Sequence, residues 1–249
     1  MILRKLADAI TEQNLSTIVL EILIVVIGIF FGLQVDEWNQ ARKDRLLERE
    51  YIERLYADMV GTVADHAENE QWDLQRISTQ HAAIEALRAK ELPDDKREAF
   101  ARGLLLIGVH NPLQRRWGTV DELQSTGNIL LLQDLELRKL IAQTGAAYER
   151  NDRIVAEQLA QIIPFRTEVL KRVFPVTVDF YNTSPISADY DFDLLANDVE
   201  FVNAVAGAQM SSRMILLFTE NHMERIEALR DSLADDLGID VGAAEKAAP

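Results

Sequence analysis

The chain has 249 residues, a net charge of −15 at neutral pH and no cysteine. An acidic surface with no basic stripe repels phosphate backbones, which argues against nucleic-acid binding. The missing cysteine excludes disulfides, zinc-thiolate sites and cysteine nucleophiles, while 48% hydrophobic residues suffice for one ordinary domain plus an anchor.

Residues 1–14, MILRKLADAITEQN, set Ile2, Leu3, Leu6 and Ile10 on one helical face, the pattern of a short amphipathic helix lying on a membrane surface. From Ile22 to Leu33 no polar side chain occurs. Extended to Ile18 and Val35, the run covers 18 residues interrupted only by Glu21 and Gln34. That length meets the lower bound for a helix crossing hydrocarbon, so a transmembrane helix is expected over 15–37. A cleavable signal peptide would have a shorter apolar core and small residues before its cleavage site. Here the exit reads Gln34-Val35-Asp36-Glu37-Trp38-Asn39, with Trp38 placed as an interfacial anchor and Arg42, Lys43 and Arg45 beyond it. A buried helix of a soluble protein is the rival reading.

Helical spacing joins Glu21, Val25, Gly28, Gly32 and Val35 in one stripe, with steps of 4, 3, 4 and 3. Gly28-Ile-Phe-Phe-Gly32 is a small-xxx-small motif, through which two helices in lipid approach closely, so Val25, Gly28 and Gly32 are candidate packing residues. Glu21 is a candidate ion or polar contact because ionisable groups in spans are expensive; its shallow position, about one turn inside Ile18, also lets it reach headgroup water.

Beyond the span no Pro or Gly occurs between Trp38 and Val60, so the helix is expected to continue as a stalk. Leu47, Tyr51, Leu55, Met59 and Val63, then Leu74, Ile77, His81, Ile84 and Leu87, read as core faces. A loop at Glu91–Asp95 precedes a shorter helix over 97–109 and a turn at His110-Asn111-Pro112. Thr119 and Glu122 have capping-box spacing, Gly127 stands where a helix stops, and Asp134 caps a longer helix reaching about Val173 with a kink at Pro164. Residues 174–193 read as irregular, with at most one short extended piece. A final helix runs from Asn197-Asp198 to Leu237 and Gly238, followed by a flexible tail over 241–249. The expected architecture is all-α: a surface helix, a span and stalk, then an antiparallel helical bundle, the last two together occupying 38–240.

Two stretches carry a resemblance. Ile27-Gly-Ile-Phe-Phe-Gly-Leu-Gln-Val-Asp-Glu-Trp-Asn39 and Leu123-Gln-Ser-Thr-Gly127, with Leu130 and Asp134-Leu-Glu-Leu-Arg138 after it, resemble the recurring segments of an uncharacterised bacterial family of single-span membrane proteins. Its members have a glutamate early in the span, an IGI-x-x-x-LQ-x-x-x-WN exit and a helical C-terminal region. The resemblance covers the first 60 residues and part of 120–150. It implies a single-pass protein of the bacterial inner membrane with its soluble domain in the periplasm, and it implies no particular chemistry. The flanking basic residues, two before the span (Arg4 and Lys5) and four after it, favour the cytoplasmic side instead.

Catalytic signatures are missing. None of the four histidines has a glutamate three residues before it, and there is no H-E-x-x-H, P-loop, G-x-G-x-x-G or G-x-S-x-G. No enzyme, metal or cofactor is therefore expected. His81 reads as a core residue, and His222, between Glu220 and Glu224, as part of a solvated face. Arg115-Arg116-Trp117 is the most site-like cluster: two guanidiniums and an indole suit an anionic ligand or headgroup, against an ordinary loop with Trp117 tucked into the bundle end. The expected function is a single-span membrane protein that meets the lipid bilayer, self-associates or joins another membrane protein through its span, and binds a partner or ligand with its bundle. The alternatives are an ion-coupled subunit carrying protons on Glu21 and a pilin-like subunit with glutamate fifth in a helix starting at Thr17.

Overall fold

The computed structural model describes residues 15–177 and 185–242, with side chains from Leu20 onward. The amphipathic helix expected over 1–14 lies outside the described residues; of the tail expected over 241–249 only residues 241–242 are described, and they are helical. The chain divides into two compact units, Met1–Tyr51 and Ile52–Pro249, and each is described by itself.

The described residues form an all-α fold. Helix α1 spans Leu15–Ala89, α2 Arg97–Leu105, α3 Gly118–Ser125, α4 Leu135–Leu170, α5 Phe192–Asn197 and α6 Val199–Leu237, and two short strands, β1 Phe174–Thr177 and β2 Ser187–Asp189, lie between α4 and α5. In the first unit, the described residues are α1 alone. In the second, residues 52–89 of α1 join all later elements.

Three helix ends follow their local chemistry. The Asp134 carboxylate accepts hydrogen bonds from the Glu136 and Leu137 amides, and Asp198 does the same for Glu200 and Phe201, satisfying amides that have no partner in a first turn. Gly238 closes α6 at φ 70°, where a side chain would be strained. The capping box expected at Thr119 is not formed. α3 starts two residues earlier, with Trp117 in the cap position and no side-chain cap. The Thr119 hydroxyl instead donates to Asp58 of α1 at 2.6 Å, and Glu122 pairs with Arg54. Tertiary contacts to α1 have captured both side chains. The helix expected over 97–109 also stops early, at Leu105, and the chain turns through Gly108 at φ 76°.

Helix direction follows from facing pairs. Gly207 lies against Phe165 and His222 against Tyr148, so α6 runs antiparallel to α4. Gln209 reaches the Ile77 carbonyl and Ser212 meets Arg76, while the Arg76 and His66 pairings with α6 climb in the opposite sense along α1. α6 is thus antiparallel to both other long helices, which leaves α1 and α4 running the same way. The main apolar core gathers Ile84, Leu87, Phe100, Leu104, Ile107, Ile162, Val169, Leu195, Phe201 and Val205.

The described parts of the segment expected to be irregular, 174–177 and 185–193, are more ordered than their composition indicates. β1 and β2 pair antiparallel, Phe174 with Asp189 and Pro175 with Ala188, with a bulge between Pro175 and Thr177. Both strands of a two-stranded ribbon are edge strands, the kind of strand in which proline is tolerated. Buried Ile186 and the rings of Tyr190 and Phe192, centred 5.1 and 5.5 Å from that of Phe100, tie this segment to the core.

The second α1 stripe is displaced from its expected phase. Leu74 and His81 are exposed, while Asp73, Arg76, Ile77, Gln80, Ala83, Ile84 and Leu87 face inward. Inside, Arg76 donates to Asp73 at 2.7 Å and to Ser212 at 3.0 Å and lies over the Trp72 ring. A buried face containing an aspartate, an arginine and a glutamine has no hydropathy signal to distinguish it.

Candidate functional site

In the Met1–Tyr51 unit the notable feature is exposure. All twelve large apolar side chains from Leu20 to Val35 are 44–64% exposed, on every face of the helix. Glu21 and Val25 share this open surface, nothing lies within 4 Å of where a Cβ would project from Gly28 or Gly32, and Trp38 is 63% exposed. The stripe through Glu21, Val25, Gly28 and Gly32 is an unpartnered helix face.

Among the described residues one helix passes as long and apolar enough to cross a membrane: α6, Val199–Leu237. Its inward stripe carries Ser211, Ser212, Thr219 and His222 beside Ile215, Ile226 and Leu229, and it packs along α4 and α1. Of its most apolar 18-residue window 39% is buried, and Val199, Met210 and Leu217 are exposed.

The Arg115-Arg116-Trp117 cluster does not stay together. Trp117 is buried, its ring edge-on to Tyr148 at 5.1 Å. The Arg116 guanidinium forms a two-pronged pair with Asp65 of α1, at 2.9 and 3.1 Å. Arg115 lies over both rings, 5.6 Å from the centre of Trp117 and 5.2 Å from that of Tyr148, a cation–π arrangement. One of the two guanidiniums is therefore already neutralised.

The stack continues to His222, whose ring is 4.3 Å from that of Tyr148 and nearly perpendicular to it. His222 is 4% exposed, which corrects its assignment to a solvated face. It belongs to the α6 stripe Ile215, Thr219, His222, Ile226, Leu229 and Leu233, whose steps of 4, 3, 4, 3 and 4 are visible in the sequence. Its acidic neighbours Glu220 and Glu224 drew attention to the wrong face.

Around it lies a buried polar patch. Thr144, Tyr148 and Asn151 recur along the inner face of α4 with His222 opposite. Among the described residues, both His222 ring nitrogens, the Asn151 carbonyl oxygen and the Thr144 hydroxyl have no hydrogen-bond partner. Burial lowers the His222 pKa to about 4, and the positive or titratable groups Arg225, His66 and Arg115 push it the same way. Burial also raises Tyr148 to about 12, against smaller opposing effects of Thr62 and Arg115. Both groups are neutral at pH 7.

Above this patch the seam between α4 and α6 opens into a groove of about 560 Å³. His222 and Asn151 form part of its lining with Leu140, Ile154 and Phe218, and Arg150, Arg225 and Glu224 are its charged residues. A volume and a mixed lining of this kind are those of small-molecule sites. No group of His, Asp and Glu able to hold a metal occurs among the described residues.

Together these features define an all-α protein with one long, fully exposed apolar helical segment and a compact helical unit containing a polar-floored groove. No family model, curated protein or solved structure matches the chain.

Proposed function

We propose that this is a single-span membrane protein whose helical unit serves as a binding module. The observation that carries the reading is the exposure of every large apolar side chain from Leu20 to Val35, on all faces of the helix. Burying one such side chain is worth about 1.5–3 kcal/mol. Leaving twelve in water forfeits on the order of 20 kcal/mol, more than the net stability of about 5–15 kcal/mol typical of a whole domain. A hydrocarbon surround removes that cost and accepts an apolar surface on every side of a helix. Trp38 then sits at an interface, and Glu21 lies near the other surface.

Within the bilayer, Gly28 and Gly32 are the side-chain-free positions at which a second copy of the helix packs most closely. The resemblance to single-span bacterial proteins supports an inner-membrane location. Protease digestion of right-side-out and inverted vesicles decides which side carries the helical unit.

The test of the anchor is alkaline carbonate extraction of membranes from cells producing the full chain. The protein stays in the pellet, and Ile24→Asp with Ile27→Asp releases it. Recovery of the unaltered chain in the supernatant would refute the anchor. For self-association, Gly28→Leu with Gly32→Leu lowers the yield of crosslinked oligomers; an undiminished yield removes the packing role.

A further inference from the structure

We propose that the groove between α4 and α6 binds a small organic anion, its acidic group held by Arg150 and Arg225 above the buried floor of Asn151 and His222. This rests on the reading of the helical unit as a binding module and is independent of the anchor.

Four observations converge. The floor residues are nearly all buried, Asn151 at 5% and His222 at 4% exposed, yet three of their polar atoms have no partner among the described residues. A buried polar atom left unpaired costs about 1–3 kcal/mol, so a site that retains several is suited to a ligand or bound water that completes them. Arg150 and Arg225 enter the lining from the two opposite walls, both exposed and neither in an ion pair among the described residues. In a chain with 41 acidic and 26 basic residues, a free guanidinium on each wall of one groove runs against the overall composition.

The groups that act on His222 itself have the same sign, although Asp58 and Asp152 oppose Arg115 at the neighbouring Tyr148. The charged or titratable groups that act on His222 come from three elements, Arg225 on α6, His66 on α1 and Arg115 before α3, and all disfavour a further positive charge. Glu224 is the one carboxylate of the lining, against two guanidiniums.

The apolar share of the lining (Leu140, Ala147, Ile154, Phe218 and Ala228) adds a second requirement. A bare inorganic ion leaves that surface uncovered. An acid with a short hydrocarbon body covers it while its oxygens meet the guanidiniums, which bind carboxylate and phosphoryl groups through paired N–H donors. Protonation of His222 is already opposed by burial and by its neighbours, so near pH 7 the floor offers a neutral imidazole, able to donate from one nitrogen and accept at the other.

The experiment is calorimetric titration of the full chain in lipid nanodiscs with butyrate, butyl phosphate, butylammonium and butanol. At least one anion binds saturably, butylammonium and butanol do not, and comparison of the two anions tells a carboxylate ligand from a phosphate ester. Arg150→Gln with Arg225→Gln weakens that binding about tenfold or more, as loss of charge-assisted hydrogen bonds requires. Both residues are exposed, and an unchanged circular dichroism melting curve establishes that the variant is folded. An imidazole shift of His222 on titration, seen by NMR and missing in His222→Gln, places the ligand at the floor. Anion binding unaffected by the double substitution overturns the inference. Butanol or butylammonium binding as well as the anions overturns it too, while leaving the groove a binding site; no saturable binding by any probe removes both.

Discussion

Gly103 of α2 lies directly against the backbone of α1. A Cβ added there would lie 2.4 Å from the carbonyl oxygen of Thr79 and 2.8 Å from its carbonyl carbon, whereas ordinary contact begins near 3.4 Å. Relief requires α2 to withdraw by about 1 Å, because the obstacle is helical backbone and cannot rotate aside. Alanine recovers about 1 kcal/mol of helix propensity over glycine. Overpacking a dense interface costs about 1–3 kcal/mol, and here the retreat also loosens Phe100 and Leu104, which α2 contributes to the main core. Gly103→Ala is therefore expected to lose about 1–2 kcal/mol overall, and Gly103→Val more. Urea unfolding of the full chain in detergent, followed by near-ultraviolet circular dichroism, reads this as a midpoint lowered by roughly 0.5–1 M. Gly61→Ala is the control. Its Cβ would meet the Arg116 guanidinium at 2.6 Å, the mobile end of a long side chain, so its cost stays below about 0.5 kcal/mol even if the pair with Asp65 is lost. A Gly103→Ala midpoint equal to that of the unaltered chain would show that the contact with Thr79 does not limit this interface.

The pH response of the fold should bear the mark of His222. Its pKa is about 4 when folded against an ordinary 6.5, so the unfolded chain takes up a proton that the folded one refuses. Stability then falls as pH is lowered from about 6.5 towards 4, by about 2–3 kcal/mol from this residue, and His222→Gln removes that share of the slope; identical slopes would contradict it. The Asp73–Arg76 pair offers a different check. Asp73→Leu alone strands a buried guanidinium and should cost about 3–5 kcal/mol, whereas Asp73→Leu with Arg76→Leu should cost much less. A single variant no worse than the double one in the same unfolding assay sinks this account.

How much of this was legible beforehand depended on how local the governing chemistry was. Asp134, Asp198, Gly127 and Gly238 act on amides or carbonyls within a few residues, so their roles can be read from short strings. Thr119 and Glu122 have an equally good local signature, but Asp58 and Arg54, more than sixty positions earlier, compete for the same groups and win. The two histidine assignments exchanged places for different reasons. α1 turns Asp73, Arg76 and Gln80 inward, so its buried face is not its apolar stripe, whereas His222 lies on a legible stripe of α6 but is flanked by Glu220 and Glu224. The candidate site shows the same divide. Trp117 could be recognised as an aromatic at the bundle end, but the groove needs Arg150 and Arg225, 75 residues apart, and no spacing rule connects α4 to α6. The β1–β2 pair is not legible because each strand is only three or four residues long.

Arg76 and Ser212, whose hydrogen bond closes the contact between α1 and α6, are separated by 136 positions. A ribosome adds about 5–20 residues each second, so the guanidinium emerges on the order of ten seconds before its hydroxyl partner exists. During that interval Leu55, Met59 and Ile84, all buried in the finished fold, face whatever surrounds the nascent chain. A chain truncated anywhere before α6 lacks one wall of the groove together with the α6 side chains that meet α1, so the groove and this packing are completed in the same step of synthesis.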